Sequence, residues 1–306
     1  MSALCRHWRW LRTAISWHVT PAHLVEGDVT VSDFTAFANM ERGSWSDATT
    51  ASGYVNLFAS ASDQAIGSLL DTVGAKSNLK ALDLCCGQGN VSEALVGRGC
   101  EVVGVDFSPA MLAFAHHRVP NAVFMEADAQ DLPIGDAEFD IVVSNFGVCH
   151  VPDQPRALSE VRRVLRPGGQ FAMTVWCGPD VSPCFKIVYE AIKLHGSPGV
   201  TTTPGPDFHQ FANRRLAEEL LLAAGFSDVE FSMIDCMWDL ATPERLSEIY
   251  ERGTVRAAMM LASQPLQNLA AIRTAMARAV RERFANGGRW RVPVPAALLH
   301  STAPGH

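Results

Sequence analysis

The sequence predicts a doubly wound α/β protein: a mostly parallel sheet with helices on both faces. Three observations carry this. Between residues 80 and 177, short apolar runs alternate four or five times with amphipathic stretches, the pattern that parallel strands with crossover helices leave in a sequence. The first run ends in Gly87-Gln88-Gly89, where the backbone can turn sharply from a strand into a helix. Ser108-Pro109 and the pair Asp153 and Pro155 supply helix-starting caps and first-turn prolines after later runs.

In chain order, Ile66, Leu69, Leu70 and Val73 share a helical face over residues 63–73. Residues 80–86 (KALDLCC) form the first buried strand, followed by a helix with Val91, Ala94 and Leu95 inward. Residues 101–107, 122–128, 139–147 and 170–176 make the next four strands. Helices between them bury Met111, Leu112 and Ala115, then Ala157, Leu158, Val161, Val164 and Leu165. Arg162, Arg163 and Arg166 are expected as a solvated helix end, where cations favour the dipole, before Pro167-Gly168-Gly169 stops the helix. Beyond residue 180 the reading gives helices at 182–194 and 213–224 and an alternating strand at 229–235. Residues 243–285 read as wholly helical, with a stripe of Leu269, Ile272, Met276, Val280 and Phe284. A last strand is expected from Ala296, with Pro293 and Pro295 at its start because neither can donate to a ladder.

Composition narrows the function. Over 306 residues, 25 basic side chains against 32 acidic ones give a net charge of −7, which argues against a nucleic-acid partner needing a basic face. No apolar run is long enough to span a bilayer. Eight cysteines without paired metal spacing point to a reducing, cytoplasmic setting with no disulfide framework and no metal; several fall in expected buried strands, where Cys acts as a small hydrophobe. Residues 4–18 carry Arg6, Arg9 and Arg12 and no acid, so residues 1–33 are set apart as a leader, either disordered or a targeting peptide. The domain is placed at 34–302.

The chemistry sits at the strand ends, where open α/β sheets bind ligands. The glycine turn and the helix after it suit an anion, either a phosphate or the carboxylate of a methionine moiety. Position 92 is Ser92, where a dinucleotide fingerprint wants a third glycine. Asp83, four residues before Gly87, would repel a pyrophosphate and attract an ammonium. Asp106 closes the second strand, 17 residues after Gly89, and can accept ribose hydroxyls. Asp128 closes the third, placed for an adenine amino group, and Ser144-Asn145-Phe146 closes the fourth.

Through LDLCCGQGN, VVGVDFSP, EADAQDLP, FDIVVSNFGVCHV and LRPGG, residues 34–180 resemble the class I S-adenosylmethionine-dependent methyltransferases, near the ubiquinone/menaquinone-biosynthesis type. The resemblance implies a seven-stranded Rossmann-like sheet whose last strand is antiparallel, at residues 296–301, with residues 241–288 as a helical insert serving as lid or dimer contact. It implies S-adenosylmethionine as cofactor. Asp83, Gly87 and Gly89 would hold its methionine end, and Asp106 its ribose. Phe107 and Met111 would lie beside the adenosine, Asp128 and Ala129 at the adenine. Asn145 and Phe146 would pass the methionine amino group, and Trp45 and Tyr54 would fold over the cofactor.

The expected reaction is methyl transfer to a small-molecule acceptor, by O- or C-methylation of a phenol, quinol or related metabolite. Alignment would supply most of the rate, and an acceptor of high pKa also needs a base. His150, just past the fourth strand, is the first catalytic candidate, with the alternative of a structural histidine. Tyr54 is the second, closing the site or orienting the acceptor. Cys149 reads as buried filler and Met259–Met260 as core rather than acceptor lining. An NAD-dependent oxidoreductase, a non-catalytic S-adenosylmethionine-binding protein and a homodimer stay open as alternatives.

Overall fold

A computed structural model describes residues 34–305; the expectation for residues 1–33 lies outside them. Helices α1 (Thr35–Trp45), α2 (Ala48–Gly53), α3 (Ala59–Ser62) and α4 (Ile66–Thr72) come first, with a π-helical turn at Tyr54–Phe58 between α2 and α3. The alternating region follows: β1 (Lys80–Leu84), α5 (Asn90–Gly97), β2 (Glu101–Asp106), α6 (Pro109–Arg118), β3 (Val123–Glu126), β4 (Phe139–Asn145), α7 (Gln154–Val164) and β5 (Leu165–Trp176). After it come α8 (Pro183–His195), α9 (Arg214–Ala223), β6 (Ser227–Ile234), β7 (Met237–Leu240), α10 (Arg245–Arg252), α11 (Arg256–Ala262), α12 (Leu266–Arg283), β8 (Ala285–Asn286), β9 (Arg289–Pro293) and β10 (Ala296–Thr302).

The main sheet has seven strands in the order β3-β2-β1-β4-β5-β10-β6. β1 to β5 are parallel, and β10 runs antiparallel between β5 and β6. The strand order reverses between β1 and β4, which makes their carboxyl ends the expected crevice. The helix starts form where the caps placed them: Ser108 Oγ accepts from Met111 N at 3.1 Å, and Asp153 Oδ1 accepts from Arg156 N at 3.0 Å. Leu82, Leu84, Val105 and Val142 pack with Leu158, Val161 and Val164 of α7 on one face. Ala81, Val102, Ile141 and Val143 pack with Leu69 and Leu70 of α4 on the other.

Several expectations are corrected. Helix α7 ends at Val164, and Pro167-Gly168-Gly169 forms a bulge inside β5: the register slips so that Phe139 pairs with Leu165 but Ile141 with Gln170. Arg162 and Arg163, in the last turn of α7, and Arg166 just past it are each held by partners, although Arg166 stays exposed. Arg163 donates to the carbonyls of Leu132 and Ile134 and pairs with Glu160 and Asp136, Arg166 pairs with Asp140, and Arg162 reaches the carbonyls of Gly225 and Pro304. Loop carbonyls without a ladder need donors, and these guanidinium groups provide them. The described cysteines all lie outside the strands, mostly at their ends, and all seven are free.

Residues 289–302 make two strands rather than one. β9 joins a small second sheet, β7-β9-β8, with Pro293 opposite Met237 at its end. Pro295, lacking an N–H, contributes its carbonyl to Cys177 N at 3.1 Å. The region read as continuous helix is split at Gly253 and at Gln264-Pro265 into α10, α11 and α12. Its stripe is largely as expected: Ile272, Met276 and Val280 are fully buried in a cluster with Phe185, Ile187 and Val188 of α8.

Candidate active site

The crevice has a floor made by strand ends. Past β1 the chain turns through Cys85, Gly87 and Gly89, with φ of 57°, 52° and 81°. Gly89 also passes close to α6, since a Cβ there would lie 3.2 Å from Ala115. Past β4 it turns at Phe146, φ 60°. Cys85 and Phe146 are both side chains held in the left-handed region, a costly arrangement that clusters at functional sites. Between the two turns the fit is tight: a Cβ on Gly147 would fall 2.3 Å from Cys85 Cβ.

Three acids stand along this floor. Asp83 is buried, with Oδ2 accepting from Ser92 Oγ at 2.6 Å and Oδ1 without a partner among the described residues. Burial pushes its pKa up to about 7 despite the Ser92 hydrogen bond, and the charge of Asp106 adds to the rise. Asp106 accepts from Gly87 N and Ser108 N, each at 2.9 Å, one on each oxygen, and so ties the glycine turn to the start of α6. Burial raises its pKa too, against the pull of those amides. Asp128 sits at the rim, where Oδ1 accepts from Gln130 N and Oδ2 meets Arg42 Nη2 at 3.0 Å. The Arg42 guanidinium also lies 5.3 Å from the centre of the Phe107 ring. Ala129 and Met111 are buried, and Met111 packs with Trp45. Asn145 donates to Ser62 O at 3.1 Å and accepts from Thr174 Oγ1 at 2.6 Å. Phe146 stacks on Trp176 with ring centres 3.8 Å apart.

The roof is α1 and the turn after α2. Trp45 is held by its backbone carbonyl, which accepts from Ser108 Oγ at 2.6 Å, and by its indole N–H, which donates to Glu41 Oε2 at 2.9 Å. That same Glu41 oxygen lies 2.9 Å from His150 Nδ1. The His150 ring meets Trp45 and Phe208 edge-on, at 5.4 and 5.6 Å. Burial works against a charge on His150, but the Cys149 sulfur and the Glu41 carboxylate outweigh it and raise its pKa well above the ordinary value. Tyr54 stacks on Phe58 and shares a hydrogen bond of 3.0 Å with Ser62 Oγ. Burial pushes its pKa to about 12, so it stays protonated and can only lend a hydroxyl.

The fold thus brings Trp45, Tyr54, Asp83, Gly87, Gly89, Asp106, Asn145, Phe146 and His150 around one crevice, with Phe107, Met111, Asp128 and Ala129 at its β2–β3 side. Cys149 is buried, its thiol on Phe146 O at 3.2 Å. Met259 is not core: it is 44% exposed and takes a contact from Ser44 Oγ. Sequence reasoning missed Glu41, which stands i, i+4 from Trp45 on one helix face; that spacing was the available signal. It also missed Arg42 and the aromatic neighbours Phe208 and Trp176, which only tertiary packing brings near.

The donor set suits S-adenosylmethionine. A buried carboxylate oxygen without a partner, on an acid held near pKa 7, wants an ammonium, and the glycine turn leaves space, since nothing lies within 4 Å of a Cβ built on Gly87.

Residues 82–173 match a family described as methyltransferase domain. A demethylmenaquinone methyltransferase from Renibacterium salmoninarum is 35% identical over 132 residues, 43% of this chain and 55% of that protein; the match spans about half the length of such relatives. Among solved structures, the YcgJ protein from Bacillus subtilis gives a TM-score of 0.55 at 19% identity, covering 79% of this chain and 99% of that one. A phosphoethanolamine N-methyltransferase 2 from Haemonchus contortus, in complex with S-adenosyl-L-methionine, gives 0.54 at 21% identity, covering 90% of this chain and 61% of that one. These two share the fold of the seven-stranded sheet.

Proposed function

We propose, for a chain whose residues 82–173 match the methyltransferase domain family, that it transfers a methyl group from S-adenosylmethionine to a small-molecule acceptor, by O- or C-methylation of a phenol or quinol. The observation that carries the reading is the row of acids Asp83, Asp106 and Asp128 at the ends of β1, β2 and β3, on either side of the Gly87–Gly89 turn.

When bound, S-adenosylmethionine supplies a methyl group on a cationic sulfur, an electrophile that needs no activation by the protein. The chain's own residues align and enclose. Asp83 and the glycine turn take the amino acid end, and Asn145 and Phe146 flank it. Asp106 has one lone pair on each oxygen still free for ribose hydroxyls, beyond those facing Gly87 and Ser108. Phe107, Met111, Asp128 and Ala129 take the base. Trp45 and Tyr54 close the roof and exclude water, and Tyr54 can orient an acceptor oxygen. His150 stands at the acceptor side, walled by Trp45 and Phe208, which suits a flat aromatic acceptor. Helices α10 to α12 serve as the lid; a homodimer would need a different face, because the α12 stripe is spent on α8. The net charge of −7 disfavours a nucleic-acid partner, and no helix among the described residues is long and apolar enough to cross a membrane. A cytoplasmic setting fits the free thiols.

Calorimetry with S-adenosylmethionine, S-adenosylhomocysteine and NAD tests this. Micromolar binding of both adenosyl ligands, none of NAD, and a loss of at least about 100-fold in Asp106→Ala are expected, since two charge-assisted hydrogen bonds at about 1.5–3 kcal/mol each come to about 3 kcal/mol or more. Binding of NAD instead would overturn the reading.

A further inference from the structure

We propose that Glu41 is a positioning residue that fixes His150 with Nδ1–H turned into the roof and Nε2 turned to the acceptor, so that the acceptor, an ionisable hydroxyl of the phenol or enol class, binds there as its oxyanion. This rests on the acceptor side of the crevice proposed above and deepens it.

The geometry comes first. Glu41 is 2% exposed, and a carboxylate so deep needs donors and a countercharge. Its Oε2 has two donors, the Trp45 indole N–H and His150 Nδ1, both at 2.9 Å. Among the described residues its cationic partner is His150; the neighbouring Arg42 turns the other way, to Asp128. A carboxylate can only accept, so Nδ1 must carry the proton. The second ring nitrogen, Nε2, faces away from that carboxylate, with the Cys149 sulfur as the ring's other polar neighbour, and the side chain keeps 23% exposure. It is therefore reachable, on the side of the ring away from Glu41.

The charges facing His150 set its state. Glu41 approaches from α1, Asp106 from the end of β2 and Cys149 from its own turn, while the Trp45 and Phe208 rings shield it. The Cys149 thiol donates to Phe146 O, and the Glu41 carboxylate on Nδ1 favours the imidazolium form of His150, in which Nε2–H is a charged donor. Such a donor lowers the pKa of a hydroxyl it holds. As the acceptor binds, its O–H proton leaves to water, and the electron pair left on oxygen rests on Nε2–H. A neutral amine or thioether would gain nothing from this corner, which is what narrows the acceptor class. Glu41 is also one residue from Arg42, so a single helix carries contacts to both ends of the crevice.

The test needs no cofactor, so its failure is distinguishable from failure of adenosyl binding in the calorimetry above. The full chain is titrated with 4-nitrophenol, whose phenol and phenolate absorb at different wavelengths, at a series of pH values. The apparent pKa of the bound probe should fall by at least one unit, tenfold in favour of phenolate. Glu41→Gln should abolish most of that shift, return the His150 titration, read by NMR, toward 6.5, and leave binding of 4-nitroanisole, which has no acidic proton, within twofold. His150→Gln should lose the shift as well. The proposal is overturned if bound 4-nitrophenol ionises as it does free, if it does not bind, or if Glu41→Gln changes neither the shift nor the His150 titration. Should Glu41→Gln not fold, the wild-type His150 titration decides: a value at or below 6.5 overturns the proposal, and one well above supports it.

Discussion

The floor and the roof of the crevice are built on opposite terms. The floor is backbone: strand ends, a glycine turn, two side chains in left-handed conformations, and Asp83 and Asp106 buried without an ion-pair partner. The roof is side chain: Trp45, Tyr54, Phe58 and Phe208 around one carboxylate and one imidazole, contributed by segments far apart in sequence. The floor stores cost, in strain at Cys85 and Phe146 and in the desolvation of Asp83 and Asp106. The roof relieves part of its cost, because one oxygen of its deep carboxylate, Glu41 Oε2, has two donors and a countercharge, while Oε1 has no partner among the described residues. A binding site is expected to keep its unsatisfied groups where the ligand will meet them, and here Asp83 Oδ1 stands in the floor and Glu41 Oε1 in the roof.

The sharpest way to break this contrast is Gly147→Ala. The backbone there is compatible with alanine, at φ −89° and ψ −43°, so the effect is steric alone. The new Cβ would sit 2.3 Å from Cys85 Cβ, far inside contact distance. We expect a loss above about 4 kcal/mol, which marks a specific clash rather than ordinary repacking, read as the unfolding midpoint in urea. Cys85→Gly should recover much of it in the double variant, since it removes the clashing Cβ and suits the positive φ. Additive losses would show that the two turns do not press on each other.

The second prediction separates stability from binding. The pKa of Asp83 is about 7 in the folded protein against 3.8 for a free carboxyl. The folded state therefore holds this proton more tightly. Its stabilising contribution is full below about pH 4 and is lost as pH rises through about 7, a swing on the order of 4 kcal/mol. Asp83→Asn keeps an oxygen for Ser92 and cannot ionise. Its unfolding free energy at pH 8 should exceed that of the wild type by about 2–3 kcal/mol, after losses in amide packing, and the fall between pH 5 and 8 should flatten. Adenosyl affinity should drop at the same time. A variant that loses stability at pH 8 would mean that the Asp83 charge is already compensated in the unliganded protein.

The same contrast explains what the sequence could tell. The floor is legible because its determinants are local: a strand run, Gly87 and Gly89 in one turn, Ser108-Pro109 capping the next helix, and an acid at each strand end. The order and pairing of β1 to β5 follow from such signals. The β5 bulge was missed because Pro167-Gly168-Gly169 punctuates a helix end and a strand bulge alike. The strand β9 was missed because its partner, Met237–Leu240, lies some fifty residues away and two prolines masked the run. In the roof, Glu41 and His150 are 109 residues apart, and no periodicity links them. Arg162 and Arg163 at the end of α7 misled for the same reason: they reach loop carbonyls whose positions only the folded chain defines.

The smallest expected effect lies where floor and roof touch. Arg42 reaches from α1 across the Phe107 ring to Asp128, the corner assigned to adenine. Both partners are partly exposed, so the ion pair is worth no more than about 1 kcal/mol. If adenine uses the Phe107 face and Asp128, the guanidinium must yield to it, and Arg42→Ala should tighten S-adenosylhomocysteine by a few-fold, about 1 kcal/mol at most. Raising salt should produce a similar gain in the wild type and none in the variant, since salt weakens the pair that has to open. A weaker complex in Arg42→Ala would reverse the assignment: the guanidinium would then be part of the adenine corner, stacked on the ligand, and α1 would close over the cofactor by holding it rather than by making way.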